Sequence, residues 1–503
     1  MTTPALIPSP ARLAVRDSAP FVLSAATPLR VADPDLRRAA ASALRTATGL
    51  ALDDGERIDE ADGRGIDAPS IVIEITGAGV SPEGYTLDVA ADGIRIAAPS
   101  AAGAFAGIQT LAQLAVAGLE IPALAIEDAP RFEYRGAMLD VARHFFPVEV
   151  VERLVERLAA LKINHLHLHL TDDQGWRIEV PGRPALTGIG AATQVGGSAG
   201  GFYSVEDYRR IVRHAERHFV TIVPEIDMPG HTHAALVAYP ELAPEGIVTE
   251  PYTGTDVGFS TLDTRKEETF AFVDSIIAFL AAETPGPFLH IGGDEARSTE
   301  RAEFEAFLAR ATRLVAAHGK TPIVWHEAGA CADLAPGTIG QYWGRSDAPD
   351  EDADPIRSIV DQGGRMIASP ADAVYLDIKP TPDHPIGLTW SAPSISLEQA
   401  YAWEPAALLP GIPEDAVAGV EAPLWTETVE TEADIEGMLF PRMFAVAERA
   451  WAVDAPEWPT FARRVDALRP LLDRLGVRPG PAGQGIAAHP VDGDPATPAP
   501  LPA

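Results

Sequence analysis

The chain has 503 residues, of which 46% are hydrophobic and 22% are charged, as in globular proteins with two or three domains. Its 72 acidic and 39 basic side chains give a net charge of -33, which argues against nucleic acid and anionic membranes as partners. A single cysteine, Cys331, excludes an intramolecular disulfide and a cysteine-rich metal site. Residues 1–25 lack a signal-peptide pattern, and no apolar run is long enough to span a bilayer, so the sequence predicts a cytoplasmic protein.

Residues 1–130 predict a small α+β domain. Two helices are expected, and the first is followed by Gly49 as a stop signal. Three strand candidates lie between them, and the turn-like run Ala91-Asp92-Gly93 separates the last two. The predicted elements are helices Asp35–Thr48 and Ala101–Val116, and strands Ile71–Ile75, Tyr85–Val89 and Ile94–Ala97.

Residues 131–477 alternate short apolar strands with helical patterns, of which Val148–Leu161 is the clearest helix. The predicted strands are Ala137–Val141, His165–Leu170, Val220–Pro224, Phe288–Ile291, Pro322–Trp325, Thr338–Tyr342, Arg365–Ala368 and Ala418–Ala422. Eight such units predict a (β/α)₈ TIM barrel. A doubly wound sheet is the alternative, although no glycine-rich phosphate fingerprint opens a helix. Residues 478–503 are rich in Pro, Ala and Gly and predict a disordered tail.

The segment His290–Glu295 reads His-Ile-Gly-Gly-Asp-Glu and follows the fourth predicted barrel strand. Glycines at a strand end allow a ligand to approach the backbone closely. Two adjacent carboxyl groups there, Asp294 and Glu295, can hold one protonated group beside an ionised one, which is what acid catalysis at a glycosidic bond requires.

The second predicted strand carries His165, His167 and His169 on one face, because side chains alternate along a strand. A His-x-His pair on a barrel strand is also typical of metal-dependent amidohydrolases. Those enzymes usually place the pair on the first strand and need further ligands on later strands. Histidines that are hydrogen-bonded within the core are therefore the favoured interpretation.

Polar groups cluster at two other strands. Arg135 precedes the first barrel strand and either binds substrate hydroxyls or forms a buried ion pair. The run from Pro224 to His231 places Glu225, Asp227 and His231 at the exit of the third strand, where they can support a neighbouring acid.

Aromatic and acidic side chains follow the later strands. Flat rings stack on the C–H faces of sugars, and carboxylates accept hydrogen bonds from sugar hydroxyls, so this pattern indicates a carbohydrate site. The residues are Trp325, Trp343, Tyr375, Asp377, Trp425 and Glu427.

Together these motifs resemble glycoside hydrolase family 20, the β-N-acetylhexosaminidases, over about residues 80–475. The motifs that carry the resemblance are Pro82–Tyr85, Gly107–Leu111, Arg135–Gly136, the run from His169 to Gln174, Pro224–His231 and His290–Glu295.

The resemblance implies a retaining mechanism in which the acetamido group of the substrate is the nucleophile. It implies that Glu295 is the general acid and base, that Asp294 orients the acetamido N–H, and that Tyr375 binds its carbonyl oxygen. Residues implied in sugar binding are Arg135, Trp325, Trp343, Asp377, Trp425 and Glu427, and Asp172 and His231 are implied to support the acid. The N-terminal domain is non-catalytic in such a protein, and no metal or cofactor is required.

Several points stay open in the sequence. Related lacto-N-biosidase or chitobiase activity and a carbohydrate-binding protein without turnover are alternatives to exo-hydrolysis of terminal N-acetylglucosamine or N-acetylgalactosamine. The oligomeric state cannot be read from the sequence.

An aromatic pocket is also expected to desolvate Glu295 and favour its protonated form.

Overall fold

The computed structural model describes residues 3–52, 69–79, 81–245 and 250–481. The tail predicted for residues 478–503 lies outside the described part from residue 482 onward.

The N-terminal region is a six-stranded sheet with two long helices, α1 and α2, which contact each other. The sheet order is β1-β8-β5-β6-β4-β3, and β2 pairs separately with β7. The elements are β1 (Arg12–Val15), β2 (Phe21–Val22), β3 (Leu29–Val31), α1 (Pro34–Thr48), β4 (Ser70–Ile75), β5 (Tyr85–Ala90), β6 (Gly93–Ala98), α2 (Ala101–Val116), β7 (Glu120–Ile121) and β8 (Leu124–Asp128). The prediction of a small α+β domain is confirmed, with more strands than the sequence indicated.

Local sequence signals set the ends of α1. The side chain of Asp33 accepts hydrogen bonds from the backbone N–H groups of Asp35 and Leu36, which would otherwise be unpaired at the helix start. The helix ends where Gly49 adopts φ +74°, a left-handed conformation that glycine tolerates without steric cost.

The rest of the described chain contains a closed barrel of eight parallel strands, which confirms the predicted TIM barrel. The barrel strands are β9 (Tyr134–Asp140), β10 (His165–His169), β13 (Thr221–Glu225), β14 (Phe288–His290), β15 (Thr321–Trp325), β16 (Ile339–Tyr342), β17 (Arg365–Ala368) and β18 (Val417–Leu424), and β18 pairs with β9 to close the ring. The short strands β11 (Thr171–Asp172) and β12 (Gly175–Trp176) form a hairpin after β10.

Helices surround the barrel, and each buries apolar side chains. In α3, Val151, Leu154, Val155 and Leu158 are buried at the spacing that the sequence predicts. The helices are α3 (Val148–Ala159), α4 (Pro184–Gly188), α5 (Val205–Arg217), α6 (His233–Ala238), α7 (Glu267–Glu283), α8 (Arg301–Ala317), α9 (Asp354–Asp361), α10 (Leu397–Tyr401), α11 (Glu432–Leu439), α12 (Arg442–Trp451), α13 (Trp458–Ala467) and α14 (Arg469–Arg474). Within the described residues, none of these helices is both long and apolar enough to cross a membrane.

The barrel interior contains a buried network of histidines and carboxylates. His167 Nδ1 lies 2.9 Å from Glu421 Oε1, and its Nε2 lies 2.9 Å from Glu225 Oε2. His169 Nδ1 lies 2.5 Å from Glu225 Oε2. Burial lowers the pKa of His167, but the charges of Glu421 and Glu225 outweigh it and raise that pKa to about 9. These contacts agree with the interpretation of the histidines as hydrogen-bonded core residues.

Arg135 joins the two domains and does not reach the barrel mouth, so its assignment to substrate binding is wrong. Arg135 is 1% exposed and lies near the N-terminal end of β9. Substrates of TIM-barrel enzymes bind at the C-terminal ends of the strands. The guanidinium pairs with Glu83 of the N-terminal domain at 2.5 Å. It also donates hydrogen bonds to the carbonyl oxygens of Phe132 and Lys162.

We expect Arg135→Gln to destabilise the protein without raising KM. Removing one partner of a buried ion pair typically costs about 3–5 kcal/mol, and because Glu83 is partly exposed we expect a cost of about 3 kcal/mol here. The measurement is the urea midpoint of unfolding together with KM. Arg12→Gln, which breaks the exposed pair between Arg12 and Glu127, is the matched control and should change stability by less than about 1 kcal/mol. A raised KM with an unchanged midpoint would restore the substrate-binding role.

Candidate active site

The turn after β14 delivers two adjacent carboxyl groups to the barrel mouth. Gly292 and Gly293 have φ values of +67° and +97°, which only glycine adopts easily. A Cβ atom on Gly292 would lie 1.6 Å from Asp227 Oδ1, so no other residue fits there. The N–H of Gly293 donates a hydrogen bond of 3.1 Å to the same oxygen. The glycines thus place Asp294 next to Asp227, which follows β13.

Asp227 and Asp294 compete for a proton. Burial and the neighbouring charge of Asp294 raise the pKa of Asp227 well above its usual range. Burial also raises the pKa of Asp294, and the charge of Glu295 adds to that effect, while His231 opposes it. Neighbouring buried carboxyl groups repel each other when both are ionised, so Asp227 and Asp294 titrate as a coupled pair.

His231 connects the acids of the mouth. Its Nδ1 lies 3.1 Å from Asp172 Oδ1, and its Nε2 lies 3.5 Å from Glu295 Oε2 and 3.8 Å from Asp294 Oδ2. Burial lowers the pKa of His231, but the charges of Asp172 and Asp294 outweigh it and raise that pKa well above its usual range. The imidazole is therefore held as a cation between three carboxyl groups.

Asp172 holds the imidazole of His231 on the side away from Glu295. It is 1% exposed and also lies 2.9 Å from His169 Nε2 and 2.9 Å from Arg143 Nη2. Burial raises the pKa of Asp172, but the charges of Arg143 and His231 and the hydrogen bonds to the two histidines lower it far below its usual range. Asp172 thus stays ionised and fixes the orientation of His231.

Glu295 is the most accessible acid of this group, with 19% of its side chain exposed. Its Oε1 lies 2.6 Å from Arg297 Nη2. Burial raises the pKa of Glu295, but the hydrogen bond and charge of His231, with the charges of Arg297 and Arg143, lower it overall. The expectation that desolvation favours protonated Glu295 is therefore wrong for the free protein, because the three cations together outweigh burial.

These groups line a cavity of about 480 Å³, within the size range of small-molecule sites. Its walls include the rings of Trp343, Tyr375, Trp390 and Trp425. The guanidinium of Arg143 lies 4.9 Å from the centre of the Trp425 ring. Of the predicted site residues, the cavity brings together Asp172, His231, Asp294, Glu295, Trp343, Tyr375, Trp425 and Glu427.

Two predicted residues lie behind the cavity wall. Trp325 is fully buried, and its indole N–H donates to Glu225 Oε1 at 3.0 Å while its ring centre lies 5.9 Å from that of Trp425. Asp377 is buried, and among the described residues neither of its carboxyl oxygens has a hydrogen-bond partner. Burial and the charge of Glu427 raise the pKa of Asp377 well above its usual range.

Sequence reasoning missed three charged or aromatic side chains that line the cavity: Arg143, Trp390 and Arg297. Asp227, which the sequence places at the exit of the third strand, lines it too. Arg143 follows the C-terminal end of β9. Because TIM-barrel sites lie at the C-terminal ends of the strands, this position favours Arg143 over Arg135 as a substrate-binding residue. Trp390 is 51% exposed and belongs to an irregular segment, where the sequence carries no periodic signal.

Some of the same groups could hold a cation. Within the described residues, potential ligand atoms of Asp172, Asp173 and His231 lie within 4.8 Å of one another, as do those of Asp227, His231 and Asp294. Both groups use His231, whose two nitrogens already face carboxylates. A third group, His169 with Asp172 and Asp227, uses a histidine whose two nitrogens also face carboxylates. A metal there would have to replace the proton of a strongly basic imidazole, so the arrangement favours proton chemistry.

Comparisons with known proteins identify the family. The model for the catalytic domain of glycosyl hydrolase family 20 matches residues 132–454, and the model for domain 2 of that family matches residues 3–129. A β-N-acetylhexosaminidase of Cellulomonas fimi is 40% identical over 486 residues, covering 94% of this chain and 95% of that protein.

Solved structures agree with the family models. The family 20 β-N-acetylhexosaminidase of Streptomyces coelicolor A3(2) matches with a TM-score of 0.89 and 40% identity, covering 96% of this chain and 98% of that chain. A mutant Streptomyces plicatus β-hexosaminidase in complex with its product GlcNAc matches with a TM-score of 0.88 and 42% identity, covering 95% and 97% of the two chains. The resemblance seen in the motifs is confirmed, and the chain belongs to glycosyl hydrolase family 20.

Proposed function

We propose that the protein is an exo-acting β-N-acetylhexosaminidase that removes terminal non-reducing N-acetylglucosamine or N-acetylgalactosamine from β-N-acetylhexosaminides. The observation that carries the proposal is the pair Asp294 and Glu295 in one aromatic cavity with Tyr375. The relatives named above, which are β-N-acetylhexosaminidases, support the same activity.

The cavity suits one sugar unit with an acetamido group. Its volume of about 480 Å³ holds a single ring, and the rings of Trp343 and Trp425 offer flat apolar surfaces for C–H faces. Arg143 and Glu427 supply a donor and an acceptor for ring hydroxyls, and Asp377 lies behind them beside Glu427. Trp325 supports the Trp425 ring from below.

In the first step, the carbonyl oxygen of the substrate's acetamido group forms a bond to the anomeric carbon. The bond from that carbon to the leaving oxygen breaks, and Glu295 donates its proton to that oxygen. Because nucleophile and electrophile belong to one molecule, the attack is intramolecular and avoids the entropy cost of a bimolecular encounter. Glycosidases of this family replace the usual enzyme carboxylate nucleophile in this way.

Asp294 and Tyr375 stabilise the intermediate. The positive charge of the oxazolinium ion favours ionised Asp294, which accepts the acetamido N–H, and leaves the shared proton on Asp227. The hydroxyl of Tyr375 donates to the acetamido oxygen. Burial and the charges of Asp377 and Asp294 raise the pKa of Tyr375 well above its usual range, so this hydroxyl keeps its proton.

In the second step, the ionised Glu295 takes a proton from water, and the water oxygen bonds to the anomeric carbon. The bond between that carbon and the acetamido oxygen breaks, which regenerates the acetamide with retention of configuration. His231, held as a cation by Asp172, stabilises the ionised form of Glu295 between the two steps.

The direct test of the activity uses 4-nitrophenyl β-glycosides of N-acetylglucosamine, N-acetylgalactosamine and glucose, with and without a chelator. We expect release of 4-nitrophenol from the acetamido sugars only, at rates that the chelator does not change. Equal release from the glucoside would show that the acetamido group is not required. Loss of activity with chelator would favour a metal at the groups around His231.

The role of Glu295 is tested by Glu295→Gln on two leaving groups. General acid catalysis contributes roughly 10²–10⁴-fold, so kcat/KM for an N-acetylhexosamine disaccharide should fall by about that factor. The loss should be smaller for the 4-nitrophenyl glycoside, because 4-nitrophenolate leaves without full protonation.

The matched control is Glu268→Gln, which removes an exposed carboxyl from α7 outside the cavity. This variant should keep the parent's kcat/KM for both substrates. Equal activity of Glu295→Gln and the parent on the disaccharide would contradict the assignment of the acid.

A further inference from the structure

Arg297 occupies the junction of two cavities. The cavity described above and a second, more open cavity of about 760 Å³ share Glu295, Arg297 and Trp343 in their linings. Because the proposed acid Glu295 lines both cavities, the leaving group of a sugar held in the first cavity can extend past Arg297 into the second. The side chain of Arg297 is 65% exposed, while the carboxyl that it binds is largely buried.

The backbone around Arg297 fixes where its guanidinium lies. Gly258, which has φ +79°, lies against the stem of Arg297, and a Cβ atom there would be 2.8 Å from Arg297 Cδ. The hydroxyl of Ser298 donates to the carbonyl oxygen of Gly258 at 2.9 Å and holds the two segments together. The resulting contact between Arg297 Nη2 and Glu295 Oε1 is 2.6 Å.

We propose that Arg297 is a positioning residue that binds the acid Glu295 in the free enzyme and releases it when the leaving group of the substrate enters the junction. The inference rests on the proposed function, because it assigns Arg297 a task only if Glu295 is the acid. In the free enzyme the ion pair keeps Glu295 ionised and oriented. The leaving group replaces the guanidinium, and Glu295 then takes up a proton from solvent water, which it can donate to the leaving oxygen.

The charged groups around Glu295 set the direction of the expected pH effect. Three cations lower the pKa of Glu295: His231 lies on the segment after β13, Arg143 lies on the segment after β9, and Arg297 lies two residues after Glu295 itself. Asp294 and Glu327 are the acidic neighbours, and each is affected by the charge of Glu295. Removing Arg297 takes away one of three cations, so the pKa of Glu295 must rise.

The experiment is the pH profile of kcat/KM for an N-acetylhexosamine disaccharide, which reports ionisations of the free enzyme. Activity falls as the pH rises through the pKa of Glu295, because the acid form is lost. In Arg297→Gln this alkaline fall should move to higher pH, while Arg297→Lys, which keeps the charge, should stay near the parent.

The control Arg310→Gln removes an arginine of α8 that pairs with Glu267 at 2.6 Å and lines neither cavity. It should leave the profile unchanged. Raising the ionic strength should move the parent's fall toward that of Arg297→Gln, because salt screens an exposed cation.

Three outcomes would overturn the inference: coinciding profiles of Arg297→Gln and the parent, an equal shift in Arg310→Gln, or an equal shift in Arg297→Lys. Failure of the proposed function looks different. In that case the parent itself does not cleave the disaccharide, or Glu295→Gln retains the parent's alkaline fall.

Discussion

The arrangement of acids at the barrel mouth depends on the contacts that the imidazole of His231 makes with them. One nitrogen faces Asp172, and the other faces both Asp294 and Glu295. Without a buried cation at this point, the acids around it would repel one another in a region that water barely reaches. The ion pairs of Asp172 with Arg143 and His169 hold that cation in a fixed direction. The positions of the acids therefore follow from where one histidine is anchored.

Histidines also lie between carboxylates in the barrel interior, below the mouth. His169 contacts Asp172 on one side and Glu225 on the other, and Glu225 contacts His167, which reaches Glu421. Alternating charges of this kind offset the desolvation of each member, and removing one member leaves an uncompensated charge. The network links several barrel strands to the mouth, so the geometry of the candidate site and the closure of the barrel share the same side chains.

The sequence predicts the barrel well because its signals are local: each strand is a short apolar run, and the acids follow strand ends directly. The strand β1 was missed because it is short and gains its stability by pairing with β8 more than a hundred residues away. Arg135 was misassigned because its partner Glu83 belongs to another domain. The pKa of Glu295 depends on Arg297 and His231 across a folded turn, which residue type and spacing do not reveal.

The most direct test of the central claim is a series of 4-nitrophenyl N-acetylglucosaminides whose acetyl methyl group carries no, one, two or three fluorine atoms. Fluorine withdraws electrons from the carbonyl oxygen and makes it a weaker nucleophile. If that oxygen attacks the anomeric carbon, kcat/KM falls progressively with each fluorine. A kcat/KM that does not depend on fluorination would contradict the substrate-assisted mechanism and point to a nucleophile supplied by the protein or by water.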